Sequence, residues 1–477
     1  MCDDDNFPEN PAQDFRFQPP NTENHTMANH PKGKQKEFWQ TAMLLLGAFS
    51  FLFFYWNPFP NFSQPVATTL GILLLACIFW ISEAIPFYVT SLLILALELV
   101  LLTPSLPKIK SEIFLTPFFS DTILLYLGGF TISSVLGKFE FDKAIATFAL
   151  RKFGSSIHTL IISIMAVTAF LSLWMNNTAT AALMLGIMSP VYKELKNYPN
   201  ALKAITLAIP FAANIGGIGT PIGSLPNTIA IGILNNAEID IHFLKFTLLF
   251  FPLAIILIGI SYLILIFLFP LEKVDFPKIE KFHLRWNYKS RISLGVLIIT
   301  LLLWMFSKEA LGTISLLPII FFYGYQILDE KDLRSVPWEI LLLMGGGLSL
   351  GKAIEVSGFA KWFVEFLPIA SLNSVSVVIL FAAISWLMTM FLSNTTTANM
   401  ILPLALGLPK ELIAPTILAS AIACSLGMPL PVSTPPNAMA FAKGHIKIID
   451  MVKAGGLISI VSLVLLVLEI YFLLEYI

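Results

Sequence analysis

The sequence predicts an all-α polytopic membrane protein, built from two inverted repeats with two re-entrant hairpins and broken transmembrane helices. Hydrophobic residues make up 56% of the 477 residues and charged residues only 12%, with a mean hydropathy of +0.80. A soluble domain carries about 25% charged residues. Apolar stretches of roughly 17 to 25 residues, long enough to cross about 30 Å of hydrocarbon, recur along the chain. One polar cluster also occurs in each half, in otherwise apolar sequence.

The apolar stretches and the charged segments between them divide the chain into five parts. Residues 1–36 are rich in Asn, Asp, Pro and Gln, which predicts a disordered cytoplasmic tail. A first transmembrane span is expected within 37–64. The first repeat then covers 65–270 and the second covers 291–477, each beginning with apolar spans. The charged segment 271–290 is predicted to be a cytoplasmic linker between them.

Polar residues, Gly and Pro interrupt four long apolar segments. Residues 155–190 and 373–407 each have a short Asn-Thr interruption, which predicts a re-entrant hairpin. Residues 200–235 and 412–443 are interrupted by Gly and Pro, which predicts broken helices, since both residue types disrupt a helix. The second repeat ends with one further span.

The interruptions recur in the same order in both halves. The matching pairs are Gly128-Gly129 with Gly345-Gly346, Asn177-Thr178 with Asn394-Thr395, Gly217 with Gly427, Pro221 with Pro431, and Pro226-Asn227 with Pro436-Asn437. A shared order with one change of offset indicates an internal duplication. About five crossings and a hairpin per repeat would make the second copy enter the membrane from the opposite face.

The distribution of Lys and Arg predicts the orientation. Most short loops rich in these residues fall on one side of the membrane if the two Asn-Thr segments are hairpins. Cytoplasmic loops carry the excess of positive charge. The N-terminus is therefore expected in the cytoplasm and the C-terminus outside.

Composition and spacing argue against several other classes of protein. The net charge is −1 and no basic patch is visible, so no nucleic-acid partner is expected. The three cysteines have no metal-ligand spacing. Neither paired carboxylates nor a catalytic His or nucleophile constellation lies in the spans, so an intramembrane enzyme is not expected. Glu98, Lys352 and Glu355 are interpreted as edge or interfacial residues.

The interruptions have the chemistry of a site for cations and an anion. Gly and Pro free backbone carbonyls, and these join Ser, Thr and Asn oxygens in a set suited to a small alkali cation. Helix N-termini present N–H groups and a positive dipole end to an anion. Since the interruptions contain no Lys or Arg, hydroxyls, amides, helix dipoles and bound cations would hold the anion. A secondary transporter is therefore predicted, and a channel is the alternative class of protein that the sequence does not exclude.

These motifs resemble the divalent anion/sodium symporter family. The resemblance covers residues 40–477 and is carried by the two Asn-Thr tips, the segment Gly216–Asn227 and its partner Ser433-Thr434-Pro435-Pro436-Asn437. It implies about eleven crossings, a scaffold that forms a homodimer, and a transport domain that moves as an elevator within the lipid bilayer. It also implies sodium as the coupling ion, without an organic cofactor.

The family's functional positions can be carried over by motif. The implied substrate contacts are Asn177, Thr178, Ser224, Asn394, Thr395, Thr434 and Pro435. The implied first sodium site consists of Ser172, Asn176, Asn177 and the backbone at Gly223. The implied second sodium site consists of Thr389, Ser393, Asn394 and the backbone at Ser433.

The family pattern implies a secondary active carrier of C4–C5 dicarboxylates (succinate, malate, fumarate or 2-oxoglutarate) in a bacterial inner membrane, with sodium-coupled symport expected. Two residues depart from the pattern: Asn176 and Thr389 both stand where the family has Ser. An amide oxygen can also bind sodium, but the longer side chain of Asn176 changes the cavity at the first cation site. The alternatives are a sodium-independent dicarboxylate exchanger, a carrier of citrate or sulfate, and, in a different class, an anion channel.

Overall fold

The computed structural model describes residues 31–57, 62–153, 156–272, 282–284, 286–307, 310–366 and 372–473. Every regular element within these residues is helical. The helices of the first half are α1 (Pro31–Tyr55), α2 (Gln64–Ser82), α3 (Phe87–Leu97), α4 (Glu112–Leu115), α5 (Asp121–Lys138), α6 (Phe141–Phe153), α7 (Ile157–Ser172), α8 (Asn177–Ile187), α9 (Ser189–Glu194), α10 (Pro199–Gly217), α11 (Leu225–Asn236) and α12 (Phe243–Leu268).

The second half repeats much of this order. Its helices are α13 (Tyr288–Phe306), α14 (Leu311–Gly324), α15 (Glu330–Arg334), α16 (Trp338–Val356), α17 (Phe359–Phe366), α18 (Ser374–Thr389), α19 (Asn394–Ile401), α20 (Lys410–Ser425), α21 (Pro435–Ala442) and α22 (Ile448–Leu473). Shorter elements are a π-helical turn at Glu98–Leu102 and 3₁₀ turns at Thr103–Ser105, Thr116–Phe119, Leu195–Asn197 and Leu402–Gly407.

The helices are those of a polytopic membrane protein, as predicted. Seven helical runs among the described residues are long and apolar enough to cross a bilayer, and α16 with α17, bent by 73°, would make an eighth. Large apolar side chains such as Phe267 and Val100 are exposed, as expected where a surface faces lipid. The prediction of about eleven crossings and of two re-entrant hairpins remains a prediction.

Helices stop and restart at each interruption of the sequence. The chain leaves α7 at Ser172 and enters α8 at Asn177, and it leaves α18 at Thr389 and enters α19 at Asn394. Longer connections join α10 to α11 and α20 to α21. The two halves therefore break their helices at matching places.

Packing also repeats between the halves. Helix α7 packs along α10, and α18 packs along α20 in the same way. Helix α5 packs on α14, and α16 packs on α3. The approach of α7 to α10 requires a glycine, because a Cβ at Gly216 would lie 2.5 Å from the backbone of Ala169. Helix α10 also packs on α21, and α20 packs on α11, so the interrupted helices of the two halves lie near one another.

Several predicted segments lie partly outside the described residues, including 58–61 of the first span, 155 of the first hairpin, and 308–309, 367–371 and 474–477 of the second repeat. The tail was assigned to 1–36, of which 1–30 lie outside, while α1 begins at Pro31. The linker was assigned to 271–290, of which 273–281 and 285 lie outside. The disorder of the tail and the domain boundaries remain predictions.

The position of Glu98 corrects an interpretation made from the sequence. Its side chain is fully buried, at the start of the π-helical turn, and its Oε2 contacts Ser349 Oγ on α16. Sequence alone could not place it, because the turn directs the residue inward between α3 and α16. Lys352 and Glu355 instead form a partly exposed ion pair, 2.8 Å between Nζ and Oε2.

Candidate functional site

The interruptions of both halves surround a single cavity of about 240 Å³. All seven residues predicted to contact substrate line it: Asn177, Thr178, Ser224, Asn394, Thr395, Thr434 and Pro435. Drug-sized pockets measure about 300–1,000 Å³, so this cavity suits a small solute. The two Asn-Thr tips, far apart in sequence, therefore meet in space.

Four helices begin at this cavity, two from each half. Each begins with a side-chain oxygen at its N-cap: Asn176 for α8, Ser224 for α11, Ser393 for α19 and Thr434 for α21. Three of these oxygens accept a hydrogen bond from the first turn: Asn176 Oδ1 from Thr178 N at 2.7 Å, Ser393 Oγ from Thr396 N at 3.1 Å and Thr434 Oγ1 from Asn437 N at 3.3 Å. The positive ends of four helix dipoles thus meet at one place.

The lining of the cavity is polar but uncharged. None of the described residues that line it is Lys, Arg, His, Asp or Glu. Amides and hydroxyls supply hydrogen-bonding groups, while Tyr126, Ile340 and Leu343 add apolar surface from α5 and α16. Helix N-termini with free N–H groups attract anions without a cationic side chain. The arrangement is suited to a small anion that must also be released.

A first oxygen cluster lies behind the tip of α8. Ser172 Oγ lies 2.6 Å from Asn177 Oδ1 and 2.8 Å from Ala213 O. The same amide position lies 3.0 Å from Gly223 O and 3.2 Å from Ala213 O. Ser172 is the last residue of α7, and Ala213 lies in the last turns of α10. The cluster therefore sits at helix C-termini, whose partial negative charge favours a cation.

A second oxygen cluster occupies the matching place behind α19. Thr389 Oγ1 lies 2.7 Å from Asn394 Oδ1 and 2.7 Å from Cys424 O. Thr389 ends α18 as Ser172 ends α7, and Cys424 lies near the end of α20. Both clusters thus combine a hydroxyl, an amide and a carbonyl at helix C-termini.

The second cluster has fewer hydrogens than acceptors. A hydroxyl carries one hydrogen, yet the hydroxyl of Thr389 faces both an amide oxygen and a carbonyl oxygen. One oxygen pair is then left without a hydrogen between them, whereas in the first cluster Asn177 Nδ2 supplies hydrogens when the amide is turned inward. A bound cation would satisfy both oxygens, because small hard cations take oxygen ligands.

Two asparagines hold the broken helices in shape. Asn227 and Asn437 are fully buried, and each donates from Nδ2 to two carbonyls in the break before it. The acceptors are Gly217 O (3.0 Å) and Thr220 O (2.9 Å) for Asn227, and Met428 O (3.0 Å) and Leu430 O (3.1 Å) for Asn437. Freed carbonyls are costly in a membrane unless they are satisfied in this way.

The two asparagines hold their carbonyls at slightly different spacings. Asn227 bonds to Gly217 O and Thr220 O, whereas Asn437 bonds to Met428 O and Leu430 O. The pairing of Gly217 with Gly427 in the repeat remains a prediction.

The remaining predicted positions lie at or next to the cavity. Asn176, Gly223, Ser393 and Ser433 line it, whereas Ser172 and Thr389 lie behind it in the two oxygen clusters. Ser433 Oγ donates to Leu430 O at 2.6 Å, which shapes the second break. All predicted site residues are thus brought together in one region.

The structure adds four residues that sequence reasoning missed. Ala213 and Cys424 contribute backbone carbonyls to the oxygen clusters, and a backbone oxygen has no signature in the sequence. Asn214 on α10 and Ser425 on α20 are fully buried polar residues. The one sequence signal for Asn214 and Ser425 was an isolated Asn shortly before Gly216-Gly217.

A second cavity is larger but has the wrong charge for an anion. It measures about 390 Å³ and is lined in part by Asp121, Glu238 and Asp240. Asp121 already caps α14, since its Oδ1 accepts from Gly312 N at 2.8 Å and Thr313 N at 3.2 Å. Three carboxyl groups would repel a dianion, so the smaller uncharged cavity is the better candidate.

Comparison with known proteins identifies the family to which this fold belongs. The model of the citrate transporter family matches residues 77–424. A sodium-dependent dicarboxylate transporter, SdcS, of Staphylococcus aureus (strain MRSA252) is 30% identical over 501 residues, which cover 93% of each chain. The chain belongs to the citrate transporter family, of the divalent anion/sodium symporter type that its motifs predicted.

Two further relatives extend the comparison. An uncharacterized transporter of Schizosaccharomyces pombe, C3B8.04c, is 29% identical over 84% of this chain, which spans 49% of that relative's length. The crystal structure of the YdaH transporter of Alcanivorax borkumensis superimposes with a TM-score of 0.56 over 86% of this chain and 98% of that one. At 11% identity this likeness concerns the fold. Because it belongs to this family, the chain is an integral membrane protein and a transporter, not an enzyme.

Proposed function

We propose that the chain is a secondary active carrier of C4–C5 dicarboxylates, such as succinate, malate, fumarate or 2-oxoglutarate, coupled to sodium. The observation that carries this proposal is the meeting of four helix N-termini, two from each half, at one uncharged cavity. A dicarboxylate has two separated anionic ends, and the cavity offers positive dipole ends from both halves. The printed name of the S. aureus relative supports the same class of solute.

In this proposal the residues at the tips bind the two carboxylates. Asn177 and Thr178 of the first half and Asn394 and Thr395 of the second would donate hydrogen bonds from side chains and helix N–H groups. Ser224, Thr434 and Pro435 would complete the site at the starts of α11 and α21. Charge-assisted hydrogen bonds to a carboxylate are about twice as strong as neutral ones, so few are needed.

Sodium would bind in the two oxygen clusters, travelling with the solute. Asn177 is central, because its amide can present either atom to the first cluster. With Nδ2 inward it donates to Gly223 O, at 3.0 Å, and to Ser172 Oγ. With Oδ1 inward, Ser172, Asn177, Ala213 and Gly223 present four oxygens and the cluster suits a cation. The donor set present therefore fits sodium.

The two departures from the family pattern differ in effect. Thr389 keeps the hydroxyl that the second cluster uses. The amide oxygen of Asn176 instead caps α8 by accepting a hydrogen bond from Thr178 N. As a ligand of the first sodium site, together with Asn177 and Gly223, Asn176 Oδ1 would have to bind the cation and cap α8 at the same time. Ser393 and the Ser433 backbone would complete the second site.

Transport would follow alternating access by an elevator movement. The interrupted helices α7–α11 and α18–α21, which carry the predicted substrate contacts, would move against a scaffold that includes α2, α3, α13 and α14 in a homodimer. The protein would lie in a bacterial inner membrane with a cytoplasmic N-terminus. Inverted repeats allow two opposite-facing states of similar energy, which alternating access requires.

Purified protein in proteoliposomes would test the proposal. We expect saturable uptake of labelled succinate that rises with an inward sodium gradient and is inhibited by the other C4–C5 dicarboxylates. The same vesicles with choline in place of sodium are the control. Uptake that responds neither to sodium nor to internal dicarboxylate would refute both coupled mechanisms.

A sodium-independent exchanger is the second candidate. The observation that favours it is the use of Asn176 Oδ1 as a helix cap, which leaves the first cation site short of a ligand. An exchanger would be stimulated by internal dicarboxylate and not by sodium. The same assay includes citrate, for which the family match argues, and sulfate; non-saturable flux without counterflow would indicate an anion channel.

A further inference from the structure

Asn214 connects the first oxygen cluster to the second half of the cavity. It follows Ala213, whose carbonyl belongs to that cluster. Its Nδ2 donates to Thr434 Oγ1 at 3.2 Å and to Asn437 Oδ1 at 3.3 Å. Thr434 is the N-cap of α21. The residue next to the first cluster therefore bonds directly to a cavity residue of the opposite half.

Ser425 makes the matching connection in the other direction. It follows Cys424, whose carbonyl belongs to the second oxygen cluster. Ser425 Oγ lies 2.7 Å from Ser224 Oγ, at the N-cap of α11. Each half thus sends one polar side chain across to an N-cap of the other, and we call these two hydrogen-bonded links the crossed contacts.

Both crossed contacts are shielded from solvent. Asn214 and Ser425 are fully buried, and their partners Thr434 and Ser224 are exposed by only 2% and 5%. A hydrogen bond in such surroundings is electrostatically stronger than in water, and its loss leaves a buried group unpaired. A shift of either carbonyl would therefore be passed to the N-cap.

The two contacts differ in extent. Asn214 also reaches Asn437, which holds the carbonyls of the second break. Ser425 has only one short hydroxyl group, which reaches Ser224. Asn227 Oδ1 corresponds to Asn437 Oδ1, the atom that Asn214 contacts, but it has no hydrogen-bond partner among the described residues. The link that starts from the first cluster is thus the more extensive one.

We propose that Asn214 and Ser425 are positioning residues that couple each oxygen cluster to the substrate-facing N-cap of the opposite half. This inference rests on the proposed sodium-coupled function. A cation at Ala213 O or Cys424 O fixes the end of α10 or α20, and the next side chain then fixes the start of α21 or α11. Cation binding would raise affinity for a dicarboxylate across the repeat boundary, and by linkage the dicarboxylate would raise affinity for the cation equally.

The test measures how sodium changes dicarboxylate affinity in Asn214→Ala and Ser425→Ala. The apparent KM for succinate in proteoliposomes is determined at low and high sodium, together with succinate-induced thermal stabilisation of detergent-solubilised protein in sodium and in choline. Coupling between sites is typically 5- to 150-fold. We expect the sodium effect on affinity to fall at least fivefold in either variant, whereas Ser425→Thr, which keeps the hydroxyl, retains it.

A matched control is available on the same helix. Ser420 on α20 is buried, and its hydroxyl has no hydrogen-bond partner in the described structure, so Ser420→Ala should keep the wild-type sodium effect. Should Asn214→Ala fail to fold, the Ser425 and Ser420 series decides alone. Variants that retain the wild-type sodium effect would overturn the inference, whatever their KM. A wild-type protein without any sodium effect would instead refute the sodium coupling itself.

Discussion

The side chain of Asn399 on α19 lies directly against Gly347 on α16. Asn399 Nδ2 donates to Leu343 O at 3.3 Å, and a Cβ added to Gly347 would lie 2.0 Å from Asn399 Oδ1. Helix α16 lines the cavity through Leu343, while α19 contributes Asn394. The distance between these two walls of the cavity therefore depends on the absence of a side chain at position 347.

Gly347→Ala should force α16 and α19 apart. The added methyl group would meet a fully buried amide, and overpacking of this kind costs about 1–3 kcal/mol. We expect a lower unfolding temperature in detergent and reduced uptake. Gly351→Ala on the same helix is the control, because its nearest neighbour would lie at an ordinary 3.4 Å. Equal behaviour of the two variants would contradict this account of the contact.

Thr389→Ala should weaken sodium activation of uptake. The substitution removes the hydroxyl that joins Asn394 to Cys424 O, and a lost hydrogen bond to a charged group is worth about 1.5–3 kcal/mol. We expect the sodium concentration for half-maximal uptake to rise roughly tenfold or more. Thr389→Ser recreates the residue found at Ser172 and should behave nearly as wild type. An alanine variant with unchanged sodium dependence would remove Thr389 from the cation site.

Asn227→Ala should destabilise the fold around the first break. It leaves the buried carbonyls of Gly217 and Thr220 without their donor, and each unsatisfied buried group costs about 1–3 kcal/mol. Thermal unfolding in detergent, followed by tryptophan fluorescence, should show a clear loss of stability. Asn235→Ala, at an exposed position of the same helix, should unfold as wild type does. A stable Asn227 variant would mean that the break does not depend on this amide.

Ser349→Ala should be more harmful than Glu98→Gln. Ser349 Oγ donates to Phe114 O at 3.0 Å and also contacts Glu98 Oε2, so its loss leaves two buried groups unpaired. Glutamine at position 98 keeps a polar group of nearly the same shape, and its amide can still pair with Ser349 Oγ. We expect a loss of about 2–4 kcal/mol for the serine variant, measured as chemical unfolding, and a smaller one for the glutamine variant. The reverse order would show that Glu98 must be a carboxyl group.

Much of the site could be predicted from sequence because its residues stand out from their surroundings. Asn177 and Asn394 are amides in apolar segments, where only a partner or a ligand offsets their burial. Their duplication, together with Pro226-Asn227 and Pro436-Asn437, indicated that two distant segments build one site. The fold class and the family followed from the same pattern and are confirmed.

Other features could not be predicted because they depend on geometry and not on residue type. Ala213 and Cys424 act through carbonyl oxygens that every residue has. The inward placement of Glu98 depends on a π-helical turn that no motif marks. Ser425 looked like any serine in a membrane helix, where hydroxyls commonly bond to neighbouring backbone. The choice of carbonyls that Asn227 and Asn437 hold likewise became visible only in the structure.

The uncharged lining of the cavity has an electrical consequence. If no ionised side chain accompanies the cargo, the charge moved across the bilayer in each cycle is that of the solute and its cations alone. A dianion carried with two sodium ions would then cross without moving net charge. A third sodium ion would make uptake electrogenic, driven by about 2.3 kcal/mol per 100 mV of membrane voltage. The current recorded per solute would therefore count the coupled ions directly.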